Sequence, residues 1–314
     1  MTKNRIGFKR FLAAASVLSL SLAAVAAAAD AIAPQFQAFK IGSYRAVALK
    51  DGGIAMPVDG KSFVLGQSNE AVGAVLKSGG AATDHFDFSI QPLLVHAGNH
   101  VLLFDTGVGH WYGDSGGKLL ESMKAAGEKP SAVTDIFISH AHGDHIGGLI
   151  TASDALAFPN ASIHMTAAEW QWLSTLTDEQ AKMMAVPHLS AFISTIKPKV
   201  VPFQPGADLI PGVVKAIDLK GHTPGHSGYL IGSGADSVLV FGDAMHSHVV
   251  SVGKPDWHIA FDGDQEAGAA TRVSLVNNSL ANGQRLYSEH FPFPGIGKIV
   301  KTSSGAIWQP EVLH

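Results

Sequence analysis

Residues 135–149, DIFISHAHGDHIGGL, contain an apolar run followed by three histidines and an aspartate within six positions. The apolar run predicts a buried strand whose end delivers His140 and His142. Because side chains two positions apart in an extended chain point the same way, both imidazoles should face one side. Asp144 and His145 follow at once. A lone histidine is usually solvated or hydrogen-bonded, but four ligand-type residues in this order predict a metal site.

Three more ligand-type residues each follow an apparent strand: His222 in AIDLKGHTPGHS, Asp243 in VLVFGDAMHSH and His290 in LYSEHF. Together with the first cluster they provide enough ligands for two metal ions that share a carboxylate. The sequence has no cysteine, so any metal site uses nitrogen and oxygen ligands. Imidazole with carboxylate suits zinc, which we expect, and also manganese, iron or cobalt.

The number of ligand-type residues also bears on whether the site is catalytic. A closed structural site needs four ligands, whereas seven around a glycine-rich edge predict open coordination positions. We therefore expect an enzyme, with a non-catalytic periplasmic metal-binding protein as the alternative from another functional class. Two cations that share a water lower its pKa towards neutrality, so such a site could supply hydroxide as a nucleophile.

Strand-like segments occupy both halves of the chain, and helical segments lie between them. In the second half, strands are predicted near residues 199–203, 213–219, 227–232 and 237–241. A helix is predicted from Asp264, which can cap it, to Asn282-Gly283, and residues 30–45 are predicted to form an extended arm. This arrangement favours an α+β fold of packed sheets with helices on their outer faces, in one domain over residues 30–314.

The N-terminus predicts export. Residues 1–29 contain a basic segment, KNRIGFKR, followed by a run rich in alanine and serine with small residues at its end. This is typical of a Sec-type signal peptide, and a membrane anchor is the alternative. We expect cleavage that leaves a periplasmic or secreted protein with no stable membrane anchor. The remaining chain carries 18 basic against 26 acidic residues and no basic patch, so we expect no nucleic-acid partner.

Two short motifs resemble protease signatures, FDTG at residues 104–107 and GDSGG at residues 113–117. Their two D-[TS]-G triplets lie nine residues apart, too close to come from the two lobes of an aspartic protease. A serine protease of this kind would be expected to have disulfides and a strand-rich barrel. We therefore expect neither motif to be a protease site.

The combined pattern H-x-H-x-D-H, G-H-T-P-G-H, F-G-D and a late histidine resembles the metallo-β-lactamase-fold hydrolases over about residues 45–300. The resemblance implies a four-layer αβ/βα sandwich of two mixed β-sheets flanked by helices. It implies that one metal is held by His140, His142 and His222, that the other is held by Asp144, His145 and His290, and that Asp243 bridges them. Asp144 or Asp243 would act as general base or acid. Asp105 and His226 would support the ligands from behind.

Within these hydrolases the chain looks most like the exported methyl parathion hydrolase group, close to the quorum-quenching lactonases. The resemblance implies a small hydrophobic substrate, either a lactone or ester or an organophosphate triester, and a homodimer is compatible with it. The alternatives within the fold are a β-lactamase and a glyoxalase II-like thioesterase. The residues expected to line the substrate pocket are Trp111, Trp170, Phe192 and His246. Acyl-homoserine lactonases often have a tyrosine near the metals, and the sequence does not select one among Tyr44, Tyr112, Tyr229 and Tyr287.

Overall fold

The structure is a computed structural model that describes residues 33–313. The predicted signal peptide, residues 1–29, lies outside the described residues. Within residues 33–313, none of the helices combines the length and apolar character needed to cross a membrane.

Strands and helices alternate along the described chain. The strands are β1 (Gln35–Ile41), β2 (Tyr44–Lys50), β3 (Gly52–Pro57), β4 (His85–Ile90), β5 (Leu93–Ala97), β6 (His100–Phe104), β7 (Asp135–Phe137), β8 (Ser162–Thr166), β9 (Val200–Phe203), β10 (Asp208–Ile210), β11 (Val214–Asp218), β12 (Ser227–Ile231), β13 (Val238–Val240), β14 (Arg285–Tyr287), β15 (Ile296–Thr302) and β16 (Gly305–Pro310). The helices are α1 (Asn69–Ser78), α2 (Leu119–Ala125), α3 (Gly143–Ile146), α4 (Ala167–Thr175), α5 (Asp178–Met183), α6 (Leu189–Ile196), α7 (Val250–Gly253) and α8 (Gln265–Asn282).

Two seven-stranded sheets form the centre of the molecule. The N-terminal sheet has the order β1-β2-β5-β6-β7-β8-β9, and the C-terminal sheet has the order β10-β11-β12-β13-β14-β15-β16. Both are mixed. Strands β6 to β9 are parallel in the N-terminal sheet, and β13 and β14 form the parallel pair of the C-terminal sheet. The carboxyl ends of β6 and β7 therefore lie at the same edge of the N-terminal sheet, and those of β13 and β14 lie at the same edge of the C-terminal sheet. The loops that follow these strands can carry ligands there.

Apolar residues from the facing sides of both sheets form one buried cluster, which includes Phe104 and Phe137 from the first sheet and Tyr229 and Val240 from the second. A second cluster lies between the N-terminal sheet and helices α2 to α6, and a third between the C-terminal sheet and helices α7 and α8. The layers thus run helices, sheet, sheet, helices, as predicted.

The ends of α8 lie where the sequence indicates. The Asp264 side chain accepts the Ala267 backbone N–H, and Gly283 ends the helix with φ +66°, a value that glycine adopts without steric cost. Of the extended arm predicted over residues 30–45, residues 30–32 lie outside the described residues, and residues 35–41 are extended but belong to the sheet rather than to an arm. Residues 35–41 form the edge strand β1, whose pairing with β2 runs from Gln35–Lys50 to Ile41–Tyr44.

Candidate metal centre

Loops at the ends of strands from both sheets deliver the seven predicted ligands. His140 and His142 follow β7, and Asp144 and His145 lie on the single turn of α3 that comes next. The remaining three, His222, Asp243 and His290, follow β11, β13 and β14 of the C-terminal sheet. The centre is therefore built across the edge where the two sheets meet.

Two glycines let the chain pack tightly here. A Cβ atom on Gly143 would lie 2.2 Å from the Ala185 carbonyl oxygen, and one on Gly148 would lie 1.9 Å from the Thr106 carbonyl oxygen. Neither contact is sterically allowed, so no larger residue fits at either position. The loop that bears four of the ligands is therefore packed directly against the backbone at Ala185 and at Thr106.

His140, His142 and His222 form what we call the histidine group. The distance from His140 Nε2 to His142 Nδ1 is 3.0 Å, and His222 Nε2 lies 3.2 Å from His140 Nε2 and 2.9 Å from His142 Nδ1. Two nitrogens bound to one tetrahedral zinc lie about 3.3 Å apart, given Zn–N bonds of about 2.0–2.1 Å. Three imidazole nitrogens at this spacing fit a single metal ion.

Asp144, His145 and His290 form what we call the mixed group. His145 Nε2 and His290 Nε2 are 3.3 Å apart, and Asp144 Oδ2 lies 3.7 Å from each of them. The ligand atoms of all three lie within 4.8 Å of one another. One carboxylate and two imidazoles thus converge on a second point.

Asp243 lies between the two groups. Its Oδ2 is 3.2 Å from His222 Nε2 and 3.6 Å from His140 Nε2, whereas its Oδ1 is 3.2 Å from His145 Nε2 and 3.0 Å from His290 Nε2. Oδ1 is buried and has no hydrogen-bond partner among residues 33–313. A buried carboxylate oxygen without a partner is costly, and a bound cation would remove that cost. The donor set and this orphaned oxygen fit two divalent ions.

Two carboxylates support the mixed group from behind. Asp105 Oδ2 and Glu289 Oε2 each lie 2.8 Å from His145 Nδ1, and the Ser139 N–H and O–H both donate to Asp105. Asp105 has φ +53°, a left-handed backbone that residues other than glycine seldom adopt. A ligand histidine that is hydrogen-bonded on its outer nitrogen is fixed in tautomer and orientation.

A different arrangement supports the histidine group. His222 Nδ1 lies 3.4 Å from Asp262 Oδ1, and Asp262 Oδ2 accepts from Arg272 at 2.6 Å. Arg272 is fully buried and also donates to the carbonyls of Pro255 and Trp257. The orientation of His222 therefore depends on a buried ion pair.

Two further histidines contact Asp243. His226 Nε2 accepts the Asp243 backbone N–H at 2.9 Å, and its Nδ1 donates to the Leu219 carbonyl, so both ring nitrogens hold the loop. Burial lowers the pKa of His226 to about 4, which keeps it neutral. His246 is also buried, with Nε2 3.0 Å from Asp243 Oδ2 and its ring 5.7 Å from that of Phe63.

Burial and neighbouring carboxylates compete at each ligand histidine. In the histidine group, the Asp243 and Asp262 carboxylates outweigh burial at His222 and raise its pKa to about 9. Burial lowers the pKa of both His140 and His142 well below the usual value. Burial also acts to lower the pKa of His145, but nearby carboxylates outweigh it and raise this pKa well above the usual value. These carboxylates are, in order of effect, Asp243, Asp144, Asp105 and Glu289. The pKa of His290 is also raised, because the Asp243 carboxylate outweighs its burial.

The aromatic residues predicted for the pocket lie on the side of the N-terminal sheet. Trp111 and Trp170 are partly buried against the core cluster under α2 to α6. Phe192 is 1% exposed, and its ring lies 5.4 Å from that of Trp111. Trp172, which the sequence did not single out, is closer to the ligands, with its ring 6.2 Å from that of His142.

Among the four tyrosines, Tyr112 is the one beside the mixed group. It is half-buried, and its burial together with the nearby Asp144 carboxylate raises the pKa of its hydroxyl well above 10. Tyr229 and Tyr287 donate instead to the carbonyls of Ile138 and Gln91 in the interior.

Four residues that contact the ligands or the loops bearing them were missed in the sequence. They are Asp262, Arg272, Glu289 and Glu169, whose carboxylate accepts the Ala141 N–H between His140 and His142. Glu289 could have been noticed, because an acidic residue directly precedes a ligand histidine in SEH. The sequence around Glu169 and Asp262 does not indicate their role, because the groups that they contact lie 28 to 56 residues away along the chain.

Comparison with known proteins agrees with this geometry. The family model for the metallo-beta-lactamase superfamily matches residues 87–277. AidC, a dizinc quorum-quenching lactonase solved in complex with the product N-hexanoyl-L-homoserine, superposes with a TM-score of 0.83 at 29% identity, over 91% of this chain and 100% of its own. The hydrolase AbOPH of the beta lactamase superfamily superposes with a TM-score of 0.78 at 28% identity, over 90% of this chain and 99% of its own.

A curated relative is the uncharacterized protein YobT of Bacillus subtilis strain 168, which is 28% identical over 177 residues, or 55% of this chain and 70% of that protein. The family match covers more than half of the chain, and the fold, the order of the motifs and the two groups of ligand-type residues agree with it. The chain belongs to the metallo-beta-lactamase superfamily.

Proposed function

We propose that the protein is a binuclear metal-dependent hydrolase that opens lactones or cleaves related esters. The observation that carries the proposal is the position of Asp243, whose two oxygens face two separate ligand groups. The structural similarity to a dizinc lactonase that was solved with its product supports the choice of substrate class.

In this proposal the histidine group would hold one ion, the mixed group would hold the other, and Asp243 would contribute a ligand oxygen to each. We expect zinc in both positions, because imidazole with carboxylate suits that ion. Two divalent ions bound there would polarise the substrate carbonyl and acidify a water molecule.

The chain itself supplies orientation and proton transfer. His142 and Asp144 are the ligand residues that are only half-buried, so the substrate reaches the centre on their side. Asp144 would hold the ion of the mixed group through one carboxylate oxygen, and because its side chain is half-buried at this open side, its second oxygen would take up and return a proton. Asp243, whose two oxygens face the two ligand groups, is the other candidate for this role.

The surroundings of this open side favour a substrate with an apolar part. Trp172 lies beside His142. Trp111 packs against the loop that bears Asp144, and the point of contact is Gly147, where an added Cβ atom would lie 2.9 Å from the indole ring. Apolar and aromatic walls with a few polar groups are typical of small-molecule sites. We infer that an acyl chain or a similar apolar group occupies this side.

The test is a comparison of rates. The purified protein, with its metal content counted by mass spectrometry, would be given a medium-chain acyl-homoserine lactone and an aryl dialkyl phosphotriester. We expect about two ions per chain and a kcat/KM that is higher for the lactone. A preference for the phosphotriester would make the protein a phosphotriesterase instead. Failure of both substrates in a protein that binds two ions would refute the proposed substrate class.

Export is a separate proposal, which depends on the composition of residues 1–29. The full-length chain would be expressed with its own N-terminus, and the periplasmic fraction would be subjected to N-terminal sequencing. We expect a mature protein that begins near Asp30. Full-length protein retained in the cytoplasm would contradict the export proposal and leave the catalytic one intact.

A further inference from the structure

Glu169, in the first turn of α4, is a fully buried carboxylate with an unusual set of partners. Its Oε1 accepts the Ala141 N–H at 2.8 Å, and its Oε2 accepts the Thr223 O–H at 2.8 Å and the Gly225 N–H at 2.9 Å. Among residues 33–313 no lysine or arginine forms an ion pair with it. Three hydrogen bonds replace the water that its burial removes.

The partners of this carboxylate lie between or next to three ligands. Ala141 separates His140 from His142, and Thr223 directly follows His222. The first segment follows β7 of the N-terminal sheet, whereas the second joins β11 to β12 of the C-terminal sheet. One side chain therefore ties together the two loops, from two sheets, that present the whole histidine group.

The junction around Glu169 has little freedom to adjust. The Thr166 hydroxyl accepts the Glu169 N–H at 3.1 Å and donates to the Gly225 carbonyl at 2.7 Å. A Cβ atom on Gly225 would lie 2.3 Å from Thr166 Oγ1 and 2.4 Å from the Glu169 nitrogen. Helix α4 and the loop at residues 222–225 are thus in direct contact, and a shift of the Glu169 side chain must move the loop.

We propose that Glu169 is a positioning residue that sets the spacing of His140, His142 and His222 and thereby the affinity of the histidine group for its metal ion. The inference rests on the proposed metal centre. Glu169 contacts neither substrate nor reacting atoms. A glutamine in its place would have the same shape, but its amide NH₂ would face either the Ala141 N–H or the Thr223 and Gly225 donors, so at least one donor would lose its acceptor.

The mixed group offers a matched control in Gln91. This side chain is also fully buried, and its Nε2 donates to the carbonyls of Ser288 and Phe291, at 2.8 and 2.9 Å, on either side of His290. Gln91→Glu is the reverse substitution, which replaces an amide nitrogen by a carboxylate oxygen at an equally buried position. It should disturb the loop of the mixed group and leave the histidine group unchanged.

The experiment measures zinc binding by calorimetry at about pH 8, where the Glu169 carboxylate is ionised, and metal content by mass spectrometry, and it does not depend on turnover. We expect two ions in the wild-type protein. In Glu169→Gln one of the two should bind about 10–100-fold more weakly, the usual cost of losing a residue that supports metal ligands. In Gln91→Glu the other ion should be weakened.

Double variants identify which ion is affected. Glu169→Gln combined with His142→Ala should retain one tight ion, as His142→Ala does alone, because both changes act on the histidine group. Combined with His290→Ala, it should leave no tight ion. If Glu169→Gln weakened metal binding equally in both backgrounds, its role would be general packing and the inference would be overturned.

Two further outcomes are distinguishable. A wild-type protein that binds no zinc would refute the proposed function itself, and this inference with it. Two tight ions in the wild type and in a folded Glu169→Gln variant would refute the inference alone. Should Glu169→Gln fail to fold, Thr223→Val removes one of the three hydrogen bonds and should weaken the same ion by a smaller factor, whereas no change would again overturn the inference.

Discussion

The histidine group and the mixed group use similar ligands but differ in how the protein supports them. His222 is oriented by Asp262, whose charge is paired with the buried Arg272, and the loops of the group are held by Glu169. In the mixed group, Asp105 and Glu289 converge on the same nitrogen of His145, with no arginine or lysine paired to either among the described residues.

This difference determines the charge that each ion would meet. Behind the histidine group a buried cation offsets the supporting Asp262 carboxylate. The pKa values of His140 and His142 are lowered, whereas Asp243 and Asp262 raise that of His222 to about 9. Around the mixed group, no lysine or arginine of the described residues offsets the Asp105 carboxylate, and Asp243, Asp144 and Asp105 raise the pKa of His145. Supporting residues can therefore give two adjacent sites different charged surroundings, although Asp243 raises the pKa of histidines in both.

The largest expected effect comes from removing one ligand on each side. His142→Ala and His290→Ala should each reduce the metal content from two ions to one and lower kcat/KM by more than about 100-fold, since losing a ligand costs more than losing a residue that supports one. Activity within about tenfold of wild type in either variant, measured with the preferred substrate, would show that the corresponding group is not part of the reaction centre.

Replacing the supporting aspartates should separate stability from metal binding. Asp262→Asn leaves Arg272 buried without its counter-ion, which typically costs about 3–5 kcal/mol in the free energy of unfolding. Asp105→Asn leaves His145, whose pKa is raised, beside the carboxylates of Asp243 and Asp144, so it should cost less stability while it weakens metal binding by about 10–100-fold. Chemical denaturation and zinc titration of both variants test this, and equal losses of stability would contradict the contrast drawn between the two groups.

The pH dependence of stability offers a smaller effect. Burial raises the pKa of Glu169 from 4.5 to about 7, so the folded protein holds a proton that the unfolded chain releases between these values. The free energy of unfolding of the chelator-treated protein should therefore fall as pH rises from 4.5 to 7, by at most about 1.4 kcal/mol per pH unit from this group. Glu169→Gln should remove this slope. An unchanged slope would mean that Glu169 does not titrate in this range.

The smallest effect is expected for Glu289→Gln. Burial, together with the neighbouring Asp105 carboxylate, raises the pKa of Glu289 well above 4.5 and keeps it protonated. A glutamine can donate a hydrogen bond from nearly the same position, so at pH 6 stability should change by less than about 1 kcal/mol. A loss as large as that caused by Asp105→Asn, measured by denaturation under the same conditions, would show that Glu289 acts as a charged group.

Local patterns predicted most of the fold. The helix from Asp264 to Gly283 and the strands before His140, His222 and Asp243 follow from capping residues and apolar runs. The strand at residues 35–41 was missed, because it is an edge strand defined by its pairing with β2 rather than by a strong pattern of its own.

The candidate site was predicted from its motifs, but its supports were not. The seven ligand-type residues stand in short, recognisable segments, and the structure brings them into two groups. Asp262 and Glu169 look like ordinary helix-end or helix residues until the folded chain places them 3.4 Å from His222 and 2.8 Å from Ala141, respectively. Such supports depend on long-range contacts, which a single sequence does not encode locally.

The division of the ligands between the two sheets has a consequence for how the protein acquires metal. His145 and His290, whose ring nitrogens meet at 3.3 Å, are 145 residues apart in the chain, and His140 and His222 are 82 apart. During translation, the H-x-H-x-D-H loop is synthesised well before the last ligand, His290. Neither ion can be fully enclosed until the second sheet has formed and docked on the first. Complete metal binding would therefore be a late step. It would stabilise only chains that have already formed their slowest, most non-local contacts.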